Sequence, residues 1–211
     1  MNSFSHVFQP EINNLVKGFS MKGRWRKNFF KNNNPLVLEL GCGKGEYSLA
    51  LAQRYPNKNF IGIDIKGSRM WTGAKEVQQK SINNVAFLRI RIDLIEKCFD
   101  KDEVDEIWIT FPDPQLKRKK TRKRLTHPLF LRRYDKILRA GSLIHLKTDS
   151  HFLHAFTLGV IAGENHQLHD STNDLYNCNV ERDNMDIKTY YETIFLNMNK
   201  AITYLAFSLN Y

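Results

Sequence analysis

Cysteine, proline and glycine are scarce in this chain, at 3, 6 and 11 residues. The cysteines, Cys42, Cys98 and Cys178, lie far apart, with no CxxC pair and no histidine cluster at ligand spacing. This pattern argues against a disulfide framework or a zinc site and suits a reducing compartment. No apolar run reaches the roughly 18 residues of a membrane-spanning helix, and the N-terminus lacks the apolar core of a signal peptide. We therefore expect a cytoplasmic protein without a metal or a membrane partner.

Acidic residues are also few relative to basic ones, and the formal net charge is +10. The run Lys117–Arg124 contains seven of the basic residues, so about +3 remains for the rest of the chain. Most charge runs are solvated surface loops. An excess focused in one segment instead favours a specific polyanionic partner. Asp113, between two prolines just before the run, places an acid beside this cationic track.

Short apolar runs alternate with segments of helical periodicity after Pro35, which predicts a mostly parallel, doubly wound α/β sheet. The predicted strands are Leu36–Leu40, Asn59–Ile65, Val85–Ile92, Val104–Phe111 and Ser142–Thr148. The predicted helices are Glu46–Tyr55, Ser68 to about Lys80, Leu129–Arg139 with Gly141 as its C′ residue, and His151–Gly163.

The two ends of the chain are less regular. In the tail we expect strands near His166–Ser171 and Ala201–Leu209, which could form an antiparallel edge pair, and a helix near Tyr190–Met198. Residues 1–34 form a basic and aromatic arm, in which Gly23–Phe30 could hold nucleic acid by charge and stacking or could dock on the core. We expect one domain over residues 1–211, with the sheet in residues 35–211.

Acidic or glycine-rich features follow five predicted strands in succession. In an open parallel sheet, ligands bind outside the carboxyl ends of the strands. A single aspartate there means little, because aspartate is a common turn and N-cap residue, but a succession of acids favours a shared functional site. The features are Glu39 with Gly41, then Asp64, Asp93, Asp113 and Asp149.

The glycine loop narrows the class of ligand. Gly41 and Gly43 fit a dinucleotide fingerprint, but the position of its third glycine is Glu46. A carboxylate at Glu39 would repel a pyrophosphate, yet it could pair with a cationic amine or sit near a sulfonium. Asp64, 23 residues after Gly41, stands where an acid grips ribose hydroxyls. An adenosyl ligand with a cationic tail therefore fits better than a nicotinamide cofactor, and Asp93 would suit the adenine amine as an acceptor.

The pattern E-x-G-x-G-x-G is similar to the first motif of class I S-adenosylmethionine-dependent methyltransferases. With its context, the chain resembles the bacterial tRNA (guanine-N7-)-methyltransferases of the TrmB family from about Asn34 onward. The proline–aspartate–proline element with its basic run is the most specific part of the match. The matching segments are LELGCGKGE at 38–46, IGID at 61–64, FPDPQLKRKKTRKRL at 111–125, LIHLKTD at 143–149 and TYYE at 189–192.

The resemblance implies a seven-stranded Rossmann-like methyltransferase sheet with an antiparallel C-terminal strand, and roles for individual residues. It assigns Asp113 as the catalytic residue and S-adenosylmethionine binding to Glu39, Gly41, Gly43, Asp64, Asp93 and Asp113. It assigns the surroundings of the substrate guanine to Lys117, Asp149, Thr189, Tyr190, Tyr191 and Glu192. It assigns RNA contacts to Lys119, Lys120, Thr121, Arg122, Lys123 and Arg124. Two positions depart from the family pattern: Gln115 replaces the usual tryptophan, and Lys120 a common histidine.

The implied reaction is methyl transfer from S-adenosylmethionine to N7 of a guanine in the variable loop of tRNA. Guanine N7 carries an in-plane lone pair and no proton, so the attack needs alignment rather than a general base. One alternative is methylation of another RNA, such as ribosomal RNA. A non-enzymatic alternative is an RNA-binding module with a degenerate methyltransferase fold. The sequence leaves the choice between monomer and homodimer open.

Overall fold

An eight-stranded sheet organises the chain in the computed structural model, which describes residues 4–178, 180, 182 and 186–211. The strands are β1 (Val7–Phe8), β2 (Leu36–Leu40), β3 (Asn59–Asp64), β4 (Val85–Arg89), β5 (Val104–Thr110), β6 (Leu138–Thr148), β7 (Gln167–Thr172) and β8 (Thr203–Ser208). Their order across the sheet is β1-β4-β3-β2-β5-β6-β8-β7.

Strand direction confirms the predicted doubly wound architecture. Strands β1 to β6 pair in parallel, and β8 runs antiparallel to both of its neighbours, β6 and β7. The prediction of seven strands was one too low. The additional strand, β1, comes from the N-terminal arm and covers the outer edge of β4. A strand of two residues is too short to give a periodic signal in the sequence.

Helices cover both faces of the sheet. They are α1 (Ile12–Lys17), α2 (Glu46–Arg54), α3 (Gly67–Gln79), α4 (Pro128–Asp135), α5 (His151–Gly163) and α6 (Tyr190–Asn197). Every residue of β2 is buried, as expected for a central strand packed on both faces. Leu36, Leu38 and Leu40 pack into one hydrophobic cluster and Val37 into the other, so Glu39 shares the face of Val37.

Several predicted boundaries shift in the structure. Strand β4 ends at Arg89, because a 3₁₀-helix begins at Ile92 and carries Asp93. Helix α4 ends at Asp135 rather than Arg139, so Gly141 is not its C′ residue. Gly141 lies instead within β6, with φ +78°, where the register between β5 and β6 shifts. A glycine with a positive φ can form a β-bulge as well as end a helix.

The N-terminal arm docks its aromatic residues on the core. Trp25, in a short π-helix over Trp25–Phe30, is fully buried and stacks on Phe99 at 5.7 Å between ring centroids. Its indole nitrogen donates to the carbonyl of Cys98 at 3.0 Å. The Glu103 carboxylate accepts from the backbone amides of Gly23 and Trp25. For these aromatics the docking alternative is therefore correct. Residues 1–3 of the arm lie outside the described residues.

Neither a membrane-spanning helix nor a metal-binding cluster occurs in the part of the chain that the structure describes. No helix there has the length and apolar character needed to cross a bilayer. No group of three or more histidine, cysteine, aspartate or glutamate side chains there is arranged to hold a metal ion. Cys42 and Cys98 are buried free thiols, and Cys178 is a partly exposed one.

Replacing Trp25 with alanine is expected to destabilise the protein by about 3–5 kcal/mol, because it removes a fully buried indole from a packed cluster. Denaturant unfolding followed by circular dichroism measures the effect. Trp71→Ala is the matched control, since Trp71 is 44% exposed. Equal losses in the two variants would contradict the docking of the arm.

Candidate active site

Two cavities open at the edge of the sheet where the parallel strands end. They have volumes of about 90 and 510 Å³ and share Gly41 in their linings. Glu39 lines the smaller cavity, and Asp64 and Asp93 line the larger one. The structure thus brings these three predicted acids and the glycine loop to one site. The larger volume lies in the range of small-molecule sites, about 300–1,000 Å³.

The loop after β2 is held tightly between the sheet and α3. Gly41, Gly43 and Gly45 all have positive φ, at +82°, +55° and +78°. A Cβ on Gly45 would lie 2.5 Å from the Phe87 ring, and one on Gly73 would lie 2.2 Å from the Lys44 carbonyl oxygen. Glycine is therefore required at both places. The amides of Gly41 and Cys42 both donate to the Ile63 carbonyl, which fixes the loop on the end of β3.

Asp64 braces this loop from the end of β3. Its Oδ2 accepts from the Gly43 amide at 2.9 Å, and its Oδ1 accepts from the Lys66 amide at 2.8 Å. Asp64 is half-buried and lines the larger cavity.

Glu39 is a buried carboxyl beneath the smaller cavity. It is 4% exposed; its Oε2 accepts from the amide and hydroxyl of Ser48, and its Oε1 accepts from the Thr110 hydroxyl at 2.7 Å. Burial raises the pKa of Glu39 to about 7, and the hydrogen bonds from Ser48 and Thr110 oppose that rise. Among the described residues, no cation forms an ion pair with it. A cationic ligand group in the cavity would stabilise the ionised form of this carboxyl.

The larger cavity combines acids, apolar side chains and part of the basic run. Asp93 is engaged by Arg91, whose Nη2 donates to Oδ2 at 2.6 Å and whose Nε donates to Oδ1 at 3.1 Å. A carboxylate has further lone pairs, so an acceptor site for an amine remains. Other lining residues are Ile65, Ile90, Ile92, Arg122, Lys123, Leu125, Leu129, Phe130 and Arg133.

Thr189, Tyr190 and Tyr191 form an outer wall of the smaller cavity. Thr189 is the N-cap of α6 in a capping box with Glu192. The Tyr190 amide donates to Oε2 of Glu46 at 2.7 Å, which ties α6 to the start of α2. Glu46 was missed from the sequence as a site residue, although it occupies the position of the absent third glycine. Its role becomes visible only through this contact across 144 residues.

Glu192 is not free to contact a substrate in this structure, contrary to the role implied by the resemblance. It is fully buried and pairs with the buried Lys147 at 2.8 Å. Its Oε1 also accepts from the Tyr176 hydroxyl at 2.5 Å, and the Lys147 ammonium donates to the Ile187 carbonyl at 3.0 Å. A buried pair of this kind fixes the start of α6, because separating the two charges would leave each uncompensated.

Asp113 lies outside both cavities, on the loop after β5. It is exposed, and its Oδ1 accepts from the Gln115 amide at 2.9 Å. The loop turns sharply, since Phe111 and Gln115 both have positive φ, at +47° and +48°. Phe111 lines the smaller cavity, so Asp113 stands two residues beyond that wall. Its assignments as catalytic and cofactor-binding residue stay predictions.

The remaining predicted substrate residues lie around this edge. Asp149 follows β6, is half-buried, and pairs with Lys200 at 3.4 Å. Lys117 is exposed on the loop before the second 3₁₀-helix, Arg118–Lys123. In that helix Lys119, Lys120, Arg122 and Lys123 are exposed and Thr121 is half-buried, which suits contact with a polyanion.

Arg124 departs from the prediction that it contacts RNA. It is 4% exposed, and its guanidinium donates to the carbonyls of Pro114 and Gln115. A phosphate therefore cannot reach it in this conformation. The sequence places it in a run of like residues, and nothing local distinguishes it from them.

The fold and the site define a class I methyltransferase, and comparison with known proteins agrees. A family model described as "Putative methyltransferase" matches residues 33–205. Among solved structures, the 16S rRNA methyltransferase KamB superposes with a TM-score of 0.66 at 14% identity, covering 88% of this chain and 92% of that one. At that identity the likeness concerns the fold alone.

Curated relatives narrow the family. The tRNA (guanine-N(7)-)-methyltransferase of Christiangramia forsetii is 50% identical over 98% of this chain and 93% of its own length. That of Porphyromonas gingivalis is 50% identical over 99% of this chain and 86% of its own length. The chain belongs to the tRNA (guanine-N(7)-)-methyltransferase family.

Glu39→Gln is expected to change how stability depends on pH. Because burial raises the folded-state pKa of Glu39 from 4.5 to about 7, its stabilising contribution is fully present below about pH 4.5 and is lost as pH rises through 7. The wild type should therefore lose up to about 3 kcal/mol relative to the variant between those pH values. Urea unfolding at pH 4.5, 6 and 8 measures this difference. Parallel pH profiles for the two proteins would contradict it.

Proposed function

We propose that this chain transfers a methyl group from S-adenosylmethionine to N7 of a guanine in the variable loop of tRNA. The observation that carries the proposal is the meeting of two cavities at the glycine loop, one over Glu39 and one beside Asp64, next to an exposed basic helix. The family of the curated relatives supports the choice of tRNA and of N7. We further propose a single cytoplasmic catalytic domain, with residues 1–34 as its arm.

The donor set fits S-adenosylmethionine on chemical grounds. The larger cavity would take the adenosine, with Asp64 near the ribose hydroxyls and Asp93 near the adenine amine. The smaller cavity would take the cationic methionine end, over the buried carboxyl of Glu39. A pKa near 7 makes this carboxyl responsive to that charge, because a nearby cation favours its ionised form. When bound, S-adenosylmethionine supplies an electrophilic methyl group on a positively charged sulfur.

The chain's own contribution is alignment and charge stabilisation. Guanine N7 offers a lone pair without a proton, so no side chain has to act as a base on the nucleophile. Methylation turns the purine into a cation, and a fixed carboxylate nearby stabilises the charge that develops on the ring. Asp113 and Asp149 would serve this purpose, by their field or by accepting hydrogen bonds from guanine N1–H and the 2-amino group.

RNA recognition would rest on shape and phosphate contacts. The exposed cations of Lys119, Lys120, Arg122 and Lys123 supply salt-dependent affinity that does not depend on base sequence. Arg122 and Lys123 also line the larger cavity, so the RNA-facing helix and the cofactor cleft share a wall. A structured RNA is usually recognised by its shape rather than by a readable helix sequence.

The direct test is incubation of the protein with labelled S-adenosylmethionine and unmodified tRNA, followed by mapping of the methylated base. Label at N7 of a variable-loop guanine is expected. Label only in ribosomal RNA supplied alongside would replace tRNA with the alternative substrate. Binding of tRNA and cofactor without any transfer would favour an RNA-binding module.

Asp113→Asn is expected to lower kcat by roughly 10- to 100-fold and to change the affinity for S-adenosylmethionine less than twofold. The reason is that the carboxylate lies outside both cavities and would act on the charge of the transition state. Single-turnover methylation and calorimetric titration of the cofactor measure the two quantities. Asp102→Asn, on an exposed turn before β5, is the matched control. Unchanged turnover in Asp113→Asn would contradict the assignment of Asp113 as the catalytic residue.

Replacing Lys119, Arg122 and Lys123 together with alanine is expected to reduce the slope of log affinity for tRNA against log salt by about 2 to 3, since each phosphate contact contributes about 0.7–0.9. Filter binding at several salt concentrations measures the slope. The matched control replaces Arg24, Lys27 and Lys101, exposed cations of the arm and of the turn before β5. If both triple variants lose the same slope, the basic helix is not the RNA contact.

A further inference from the structure

One cation of the basic run, Arg124, is built into the protein rather than offered to a partner. Its neighbours Lys117, Arg118, Lys119, Lys120, Arg122 and Lys123 are exposed, whereas Arg124 is 4% exposed. Among the described residues, none of the recorded ion pairs involves it. Burying a charge is costly unless other groups compensate it, so its environment must provide the compensation.

Two kinds of contact compensate the Arg124 guanidinium. Nε donates to the Pro114 carbonyl at 3.2 Å and Nη2 donates to the Gln115 carbonyl at 3.1 Å. The guanidinium carbon lies 4.6 Å from the centre of the Phe152 ring and 4.4 Å from that of Phe156, both on α5. A planar guanidinium can donate to two carbonyls at its edge while its face stacks on aromatic rings, which a lysine ammonium cannot do.

These contacts act on the turn that carries Asp113. Gln115 holds a left-handed backbone, at φ +48°, which is uncommon for a residue other than glycine. Its amide donates to the Asp113 carboxylate, and its carbonyl receives the Arg124 guanidinium. A continuous chain of contacts therefore runs from α5 through Arg124 and Gln115 to Asp113.

We propose that Arg124 is a positioning residue for the reaction: it clamps the Pro114–Gln115 turn against α5 and so fixes the Asp113 carboxylate beside the site. The assignment rests on the proposed function of Asp113. It gives the basic run two separate tasks, since residues 117–123 face the RNA and residue 124 faces inward. Arg124 directly follows the 3₁₀-helix that lines the larger cavity, so the clamp also anchors that wall.

The test compares Arg124→Lys with Arg122→Lys, which makes the same change at an exposed position of the same segment. Arg124→Lys should increase hydrogen exchange of residues 111–117 by about tenfold, corresponding to about 1.4 kcal/mol of local stability. This measurement uses the protein without RNA or cofactor, so it tests whether Arg124 holds the turn even if tRNA methylation is absent. Arg122→Lys should leave that exchange unchanged.

Kinetics then separate positioning from RNA binding. Arg124→Lys should lower kcat by roughly tenfold while the KM for tRNA and its salt dependence stay within about twofold. In an Asp113→Asn background the same change should cost nothing more, because its effect passes through that carboxylate. Unaltered exchange in residues 111–117, or a weakened salt dependence of tRNA affinity, would overturn the proposal.

A second variant covers the case in which Arg124→Lys does not fold, as judged by its circular dichroism. Phe156→Leu removes one aromatic face and keeps both hydrogen bonds of the guanidinium. It should raise exchange of residues 111–117 by a smaller factor, about twofold to fivefold, with the exchange of β5 unchanged. Exchange in residues 111–117 equal to that of the wild type would again overturn the clamp.

Discussion

Parallel strand pairing is the constraint on which the site depends. Because β3, β2, β5 and β6 run in the same direction, their carboxyl ends meet at one edge of the sheet. Residues more than 100 positions apart in the chain, such as Glu39 and Asp149, therefore lie at the same edge of the sheet without any local sequence signal that pairs them. The helices that return the chain also close the walls of the cavities, since α3 presses on the glycine loop and α6 is tied to α2.

Beneath this edge lies a layer of buried ionisable groups. Glu39 is held by hydroxyls, the Lys147–Glu192 pair is fully enclosed, and Arg124 rests on carbonyls and rings. Apolar residues of the same size would often give equal or greater stability at such positions. What the contacts of these groups provide is fixed geometry beneath the edge of the sheet that carries the cavities.

The sequence allowed the mostly parallel, doubly wound sheet and the acids that follow its strands to be predicted, because each rests on a local pattern. Boundaries were wrong where backbone conformation depends on a neighbouring strand, as at Gly141 beside the register shift in β6. The inward turn of Arg124 and the burial of Glu192 could not be predicted. The burial of Glu192 depends on Lys147, which is distant in the chain. The inward turn of Arg124 depends on the rings of α5, and the basic residues around it look the same in the sequence.

The docked arm has a consequence for how the protein is made. Val7 pairs with Phe87, and the amides of Gly23 and Trp25 bind Glu103. The arm is synthesised before β4 and the start of β5, so it has no place to bind until they have followed it. The Trp25 amide and its acceptor Glu103 are 78 residues apart, so this contact requires that length of chain to be present. Contacts so distant in sequence slow folding, and the edge of β4 stays uncovered until the arm has docked.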